Sequence, residues 1–281
     1  GSDDLFVIEA DESDGTFLLY DTSIALITNV DPDHLDHWGT RDAFYDAFVT
    51  FGNEAREAVV ISSDDPGAQR VAAALTHPRV VTFGEDASAD VRVSGIDTHG
   101  PVSFTLTHAG VSVAGRLAVP GAHNAVNAAG AVAVLLTLGY ELEPALRAVE
   151  GFGGTVRRFE LHGVQRGVSV YDDYAHHPTE VAAILTAARE SVPAGGRLVA
   201  CFQPHLFSRT RDFEEAFAEA LTLADEVVIV GIYPAREAAA DFPGVTASHL
   251  GARAAAHGVR AVVVEDLAQV PATLAALVRS G

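Results

Sequence analysis

Gly167-Val168-Ser169-Val170-Tyr171-Asp172-Asp173-Tyr174-Ala175-His176-His177-Pro178-Thr179-Glu180 runs from an apolar, β-branched stretch into a knot of acids, tyrosines and histidines. The composition predicts a strand over 167–171 that empties into a helix over 179–190. Pro178 suits a first helical position, Glu180 suits the first turn, and Ala182, Ile184, Leu185 and Ala188 continue an apolar face. The polar cluster therefore falls on a turn. In an open α/β sheet, the turn beyond the carboxyl end of a strand is where ligands bind, and a helix N-terminus there favours anions. A plainer reading has Asp173 or Thr179 capping the helix with His177 in solvent. Capping uses one oxygen and leaves the other polar groups without a role.

Downstream, strand and helix signals alternate: strand 197–202, helix 210–223, strand 226–230, helix 246–257, strand 259–264, helix 266–279. Such alternation predicts βαβ units and a parallel, Rossmann-like sheet covered by helices. Gln203-Pro204-His205-Leu206-Phe207-Ser208-Arg209-Thr210-Arg211 repeats the opening pattern, an apolar strand ending in His and Arg before a helix. Two such turns on neighbouring strands of one sheet would share a cleft lined by Asp173, His176, His205 and Arg209. Tyr233-Pro234-Ala235-Arg236-Glu237 adds a third polar rim.

Upstream, Leu5-Phe6-Val7-Ile8 and Ile24-Ala25-Leu26-Ile27-Thr28 read as buried parallel strands, each ending near acids. A helix bearing Phe44, Ala47, Phe48 and Phe51 follows, then strands at 58–61 and 80–83. Between about 91 and 119 the pattern changes to alternation broken by turns at 99–101 and 109–110, which predicts a small antiparallel extension. A helix opens at Pro120-Gly121-Ala122-His123 and reaches Leu138, and another spans about 143–149. Gly151-Phe152-Gly153-Gly154 is the expected hinge. The predicted fold class is α/β, with domains at 1–151 and 152–281.

Composition narrows the function. The chain has 281 residues, 48% of them hydrophobic, and no apolar run near eighteen residues, so no membrane span is expected. A formal charge of -20 argues against nucleic acid, whose binding depends on clustered positive charge. The single cysteine, Cys201, sits in an apolar run, which suits a reducing cytoplasm. All 18 basic residues are arginine, so no phosphate-loop or carbamylated lysine comes from this chain. Methionine is absent as well, and Gly1-Ser2 has the look of an expression scar ahead of a fragment.

Three further constellations carry chemistry. Glu9 and His34 each follow a predicted strand, and a divalent ion held there could bridge phosphates, Mg²⁺ through oxygen and Mn²⁺ with the imidazole. Their plainer reading is structural, with Asp11 or Ser13 as a helix cap and Asp33, Asp36 and His37 in water. His123-Asn124-x-x-Asn127 puts two carboxamides on one helix face, able to read an adenine edge, or Asn124 is an ordinary N-cap. Arg157-Arg158 follows the hinge, where a guanidinium could stabilise a transferred phosphoryl group or simply face solvent.

Taken together these motifs resemble the Mur ligase family. The resemblance runs through Glu9-Ala10-Asp11-Glu12-Ser13-Asp14, Thr28 to Asp36, His123-Asn124-x-x-Asn127, Arg157-Arg158-Phe159, Asp172 to Glu180 and Phe202-Gln203-Pro204-His205, nearly the whole chain. It implies a truncated central ATPase domain followed by an amino-acid-binding C-terminal domain. The implied substrates are ATP, UDP-N-acetylmuramate and L-alanine, joined through an acyl phosphate in the cytoplasm. By the same resemblance Glu9 and His34 would hold Mg²⁺ or Mn²⁺, and Asn124 and Asn127, beside His123, would contact adenine. Arg158, Asp173 and His176 would lie near nucleotide and reacting carboxylate, with Tyr174, His205 and Arg209 on the muramoyl and alanine side. Leu206 stands where many relatives carry arginine, and the uridine-nucleotide domain and Gly-x-x-Gly-Lys-Thr loop expected before Leu5 are absent. The chain alone is therefore expected to be inactive. The alternatives are a metal-dependent hydrolase using the Asp/His clusters and a non-catalytic nucleotide-binding module. The oligomeric state is left open.

Overall fold

The computed structural model describes residues 5–278, which fall into two units. The first draws on residues up to Asp97, Val102–Leu117 and His123–Phe152, the second on Thr98–Pro101, Ala118–Ala122 and the chain from Gly153 onward. Gly1-Ser2 lies outside the described residues.

In the first unit, β1 (Ile24–Ile27) is followed by helices α1 (Leu35–Trp38) and α2 (Arg41–Glu54), β2 (Ala58–Ser62), α3 (Pro66–Ala74) and β3 (Val80–Gly84). Then come β4 (Val91–Asp97), β5 (Val102–His108), β6 (Val111–Leu117), α4 (Ala122–Thr137) and α5 (Leu142–Glu150). The six strands form one sheet in sequence order, parallel from β1 to β4 and antiparallel from β4 to β6. Strand β2 is buried at every residue, as its unbroken apolar run requires of an interior parallel strand. Thr40 caps α2 by accepting from the Ala43 N–H, and Asp65 caps α3 in the same way through Ala68. Phe17, Phe44 and Phe51 pack with Ile27, Val59 and Ile61 into the core under α2.

Leu5–Ile8, expected as a strand, forms none. Strand β1 is the sheet's edge and bonds only to β2, so residues 5–8 have no ladder partner. Phe6 and Val7 are 88% and 92% exposed. Apolar composition makes a strand only where a neighbour takes up its N–H and C=O groups.

The second unit contains β7 (Glu160–Gln165), β8 (Val168–Asp172), α6 (Pro178–Ser191), β9 (Val199–Phe202), α7 (Phe207–Asp212) and α8 (Glu214–Leu221). It continues with β10 (Glu226–Val230), α9 (Ala247–Ala256), β11 (Arg260–Val264) and α10 (Val270–Leu277). Strands β9, β10 and β11 form a parallel sheet in the order β11-β10-β9, with β10 buried throughout. Phe217, Leu221, Val227, Ile229 and Leu250 form the core beneath α8 and α9.

Strands β8 and β9 were expected as neighbours in one sheet, and the helix after β9 as unbroken. Strand β8 does not join β9 in one sheet. It pairs antiparallel with β7, which the sequence reading did not foresee. The connection is Arg166-Gly167, both residues left-handed at φ 50° and 77°, the two-residue turn that matches strand twist. The single helix expected over 210–223 is broken at Phe213 into α7 and α8.

Candidate active site

The two His-bearing turns meet even though their strands belong to different sheets. The ring centroids of His176, beyond β8, and His205, beyond β9, are 6.3 Å apart at an interplanar angle of 67°. Tyr174 lies 5.3 Å from His176, edge to face, and Tyr233 stacks on the other ring, His205, at 5.5 Å and 20°. All of these residues belong to the second unit.

Backbone geometry sets the first turn. Both oxygens of Asp173 accept a backbone N–H, from Phe159 and from Ala175, each at 2.7 Å. Glu160 accepts the N–H of Arg157 at 2.8 Å, and the N–H of Tyr174 donates to the Arg157 carbonyl at 2.9 Å. Arg157 and Phe159 are both left-handed, at φ 59° and 49°, and they bracket Arg158. The Arg157 guanidinium sits 4.8 Å and that of Arg158 5.8 Å from the Tyr174 ring centre, within cation–π range.

Glu180 links this turn to the histidine. Its carboxylate accepts the N–H groups of His176 and His177 at 3.0 and 3.1 Å and stands 3.9 Å from Nη1 of Arg158. Nδ1 of His176 is 3.0 Å from the Tyr174 carbonyl. A carbonyl only accepts, so Nδ1 carries the proton and Nε2 of the neutral ring offers a lone pair.

The second turn is held from the β10 side. Leu206 is buried and left-handed at φ 69°. Its N–H donates to the Tyr233 carbonyl at 2.9 Å, and the Tyr233 N–H donates to Pro204 at 2.8 Å. Glu237 accepts from the Ser208 N–H at 3.0 Å and from its hydroxyl at 2.5 Å. Arg209 is 5% exposed and places Nη1 3.2 Å from Nδ1 of His205. Burial, and after it the positive charge of Arg209, holds the His205 imidazole below its ordinary pKa, with Glu237 opposing.

In the first unit, His123, Asn124 and Asn127 occupy the first turn and a half of α4, with Asn127 exposed. Their spacing keeps the two carboxamides on one helix face. His34 is left-handed at φ 52°, and its Nε2 lies 3.8 Å from Glu12 and 3.7 Å from Asp33. Glu9 is exposed, so the carboxylates that the structure brings to His34 are those of Glu12 and Asp33. Among the described residues no group of three or more His, Cys, Asp or Glu side chains is gathered as a cation would need. An imidazole with two carboxylates nearby is a partial donor set, of the type that phosphate oxygens could complete.

The sequence reading singled out the titratable side chains but not Glu12 beside His34 or Glu180 and Glu237 as anchors. Glu180 had one signal, an acid three residues after the N-cap position of α6.

Residues 2–135 match the Mur ligase middle domain, and residues 157–281 match the Mur ligase glutamate ligase domain. UDP-N-acetylmuramate–L-alanine ligase of Clavibacter michiganensis subsp. michiganensis is 61% identical over 250 residues, covering 88% of this chain and 51% of that protein. The protein of the same name from Cutibacterium acnes is 47% identical over 286 residues, 100% of this chain and 60% of that protein. The crystal structure of UDP-N-acetylmuramate–alanine ligase from Thermotoga maritima matches with a TM-score of 0.72 at 28% identity, over 93% of this chain and 55% of that one. The chain belongs to the Mur ligase family. It spans about half the length of the curated relatives it matches. Among the described residues no helix is long and apolar enough to cross a membrane.

Proposed function

We propose that this chain supplies ATP-binding and amino-acid-binding parts of a cytoplasmic ligase that joins L-alanine to UDP-N-acetylmuramate in peptidoglycan precursor synthesis. The observation that supports this reading most is the series Arg158, Glu180, His176, His205, Arg209, gathered around two turns of one unit. Its cationic ends and titratable middle suit a carboxylate that is first phosphorylated and then attacked by an amine.

On this reading the domain boundary falls at 151/152, and Asn124 and Asn127, with His123 beside them, read the adenine edge. Glu9 and His34 would hold Mg²⁺ or Mn²⁺ together with phosphate oxygens, with Glu12 and Asp33 the carboxylates nearest the imidazole. Such an ion, when bound, neutralises phosphate charge and orients the transferred group. Arg158 stabilises charge developing on the phosphoryl and carboxyl oxygens. His176, whose proton sits on Nδ1, presents Nε2 to the incoming ammonium and takes its proton, and Asp173 fixes the turn that carries both residues. The amine then attacks the acyl phosphate carbonyl, and inorganic phosphate leaves from the tetrahedral intermediate. Tyr174, His205 and Arg209 hold the muramoyl and alanine groups.

The test is phosphate release by a full-length relative in which this chain replaces the matching half. Release should require ATP, UDP-N-acetylmuramate and L-alanine together, and Arg158→Ala should lower it by about two orders of magnitude. Full-rate release without L-alanine would refute the reading. The chain alone is expected to give no turnover, because with no lysine in its sequence it lacks that cation for the phosphates.

A further inference from the structure

At the carboxyl ends of β9, β10 and β11 lies a cavity of about 620 Å³ that the proposed reaction leaves unused. Its volume falls within the roughly 300–1,000 Å³ of small-molecule sites, and the carboxyl edge of a parallel sheet is where such sites form. Gln203 enters it after β9, Gly231 and Tyr233 after β10, and Glu265 and Asp266 after β11.

The walls are aromatic. Phe207 and Phe242 stack with centroids 5.9 Å apart at 15°, and Tyr233 adds a third ring. The floor is fixed by contact: a Cβ on Gly231 would lie 2.6 Å from the Glu265 carbonyl oxygen and 3.2 Å from its Oε2. The Glu265 carboxylate is thereby set against bare backbone at residue 231. Gln203 Nε2 donates to the Gly231 carbonyl at 3.1 Å and braces the same point.

Charge selects the ligand class. Glu265 and Asp266 line the cavity, and no arginine or lysine does. The N-terminus of α9 also reaches it at Thr246 and Ala247, but a helix end is worth roughly half a charge, against two carboxylates. One of its N–H groups, that of His249, is already taken by the Thr246 hydroxyl at 3.0 Å. Phosphates and carboxylates are therefore disfavoured. A cation with a flat apolar body meets an aromatic lining and a carboxylate at once, and the Arg211 guanidinium 5.5 Å from the Phe242 ring centre already shows that ring beside a cation.

We infer that this cavity is a binding site for a flat organic cation, an aromatic amine or amidine, with its ring among Phe207, Tyr233 and Phe242 and its charge at Glu265. None of the residues proposed for the ligase reaction lines the cavity, and Tyr233, whose ring stacks on His205, is the one residue on the border of both.

The experiment is a titration of the isotope-labelled chain with benzamidine, followed by amide chemical shifts, with benzoate as the anionic isostere. Saturable shifts centred on Gly231, Tyr233 and Leu267 are expected for benzamidine and not for benzoate. Glu265→Gln should weaken benzamidine by roughly tenfold, the loss of one charge-assisted contact, while the spectrum itself reports that the variant is folded. Phe242→Ala should weaken it as well. No saturable response up to about 10 mM benzamidine, equal binding of benzoate, or shifts centred instead on Tyr174 and His176 would overturn the proposal.

Discussion

Arg209 donates from Nη1 to Nδ1 of His205 across 3.2 Å, so a permanent cation holds one nitrogen of a titratable ring as an acceptor. The neutral tautomer with its proton on Nε2 is the one that fits. Because burial and Arg209 both lower its pKa, His205 is expected to titrate below the ordinary value of 6.5. Arg209→Gln should move it only part of the way back, burial being the larger cause. The linkage has a definite sign: with the folded pKa depressed, protonation favours the unfolded chain. This contribution to stability is therefore fully present above pH 6.5 and falls as pH drops from there through the folded pKa. Histidine ring shifts followed against pH would check it, and a midpoint above 6.5 would refute it.

Asp173 ties two backbone segments with one carboxylate. Replacing it by alanine leaves the N–H groups of Phe159 and Ala175 without that acceptor and is expected to cost about 2 kcal/mol. An asparagine side chain keeps one acceptor oxygen, so Asp173→Asn should lose less. Amide exchange at Phe159 and Ala175 should accelerate together in the Asp173→Ala variant. Unchanged protection at both would mean the turn is held by other contacts.

Glu226, at the start of β10, receives Arg197 from before β9 and Arg260 from β11, the latter at 2.9 Å. Arg197 also donates to the Leu277 carbonyl at 2.7 Å, which fastens the end of α10. Glu226 is 9% exposed at its side chain while Arg260 is 67% exposed, so solvent screens part of the attraction. Glu226→Ala should therefore cost about 1–2 kcal/mol, less than a fully buried pair. Urea unfolding should register it as a lower midpoint with unchanged slope.

In a full-length relative carrying this half, Arg209→Ala is expected to raise the Michaelis constant for L-alanine or the muramate substrate more than that for ATP. An unchanged acceptor constant beside a weakened ATP constant would move Arg209 to the nucleotide side.

Long apolar runs were legible because burial on both faces leaves an unbroken signature: Val59–Ile61 and Val227–Val230 are interior strands as expected. Strand β7 was not, because Glu160–Gln165 is mostly exposed and its turn uses Arg166 where Asn, Asp or Gly is the usual signal. Leu5–Ile8 misled in the opposite direction, since hydropathy says nothing about whether a segment is laid against a neighbouring strand. Within the candidate site, His176, His205 and Arg209 were legible as residue types that follow strand ends. Glu237 was not, because its work is to accept a backbone N–H across 29 residues, and Glu180 was legible only as an acid in the first turn of a helix.

The left-handed residues on either side of Arg158 have a consequence for anyone engineering this protein. Each non-glycine side chain held there costs about 1–2 kcal/mol of backbone strain, which glycine would relieve only by giving up the Arg157 contact with Tyr174 or the Phe159 ring stacked on Tyr171 at 4.3 Å. The same change would widen the range of angles open to Arg158, whose aim depends on a backbone with few alternatives. A screen that selects only on melting temperature would not register that blurring of the guanidinium's position.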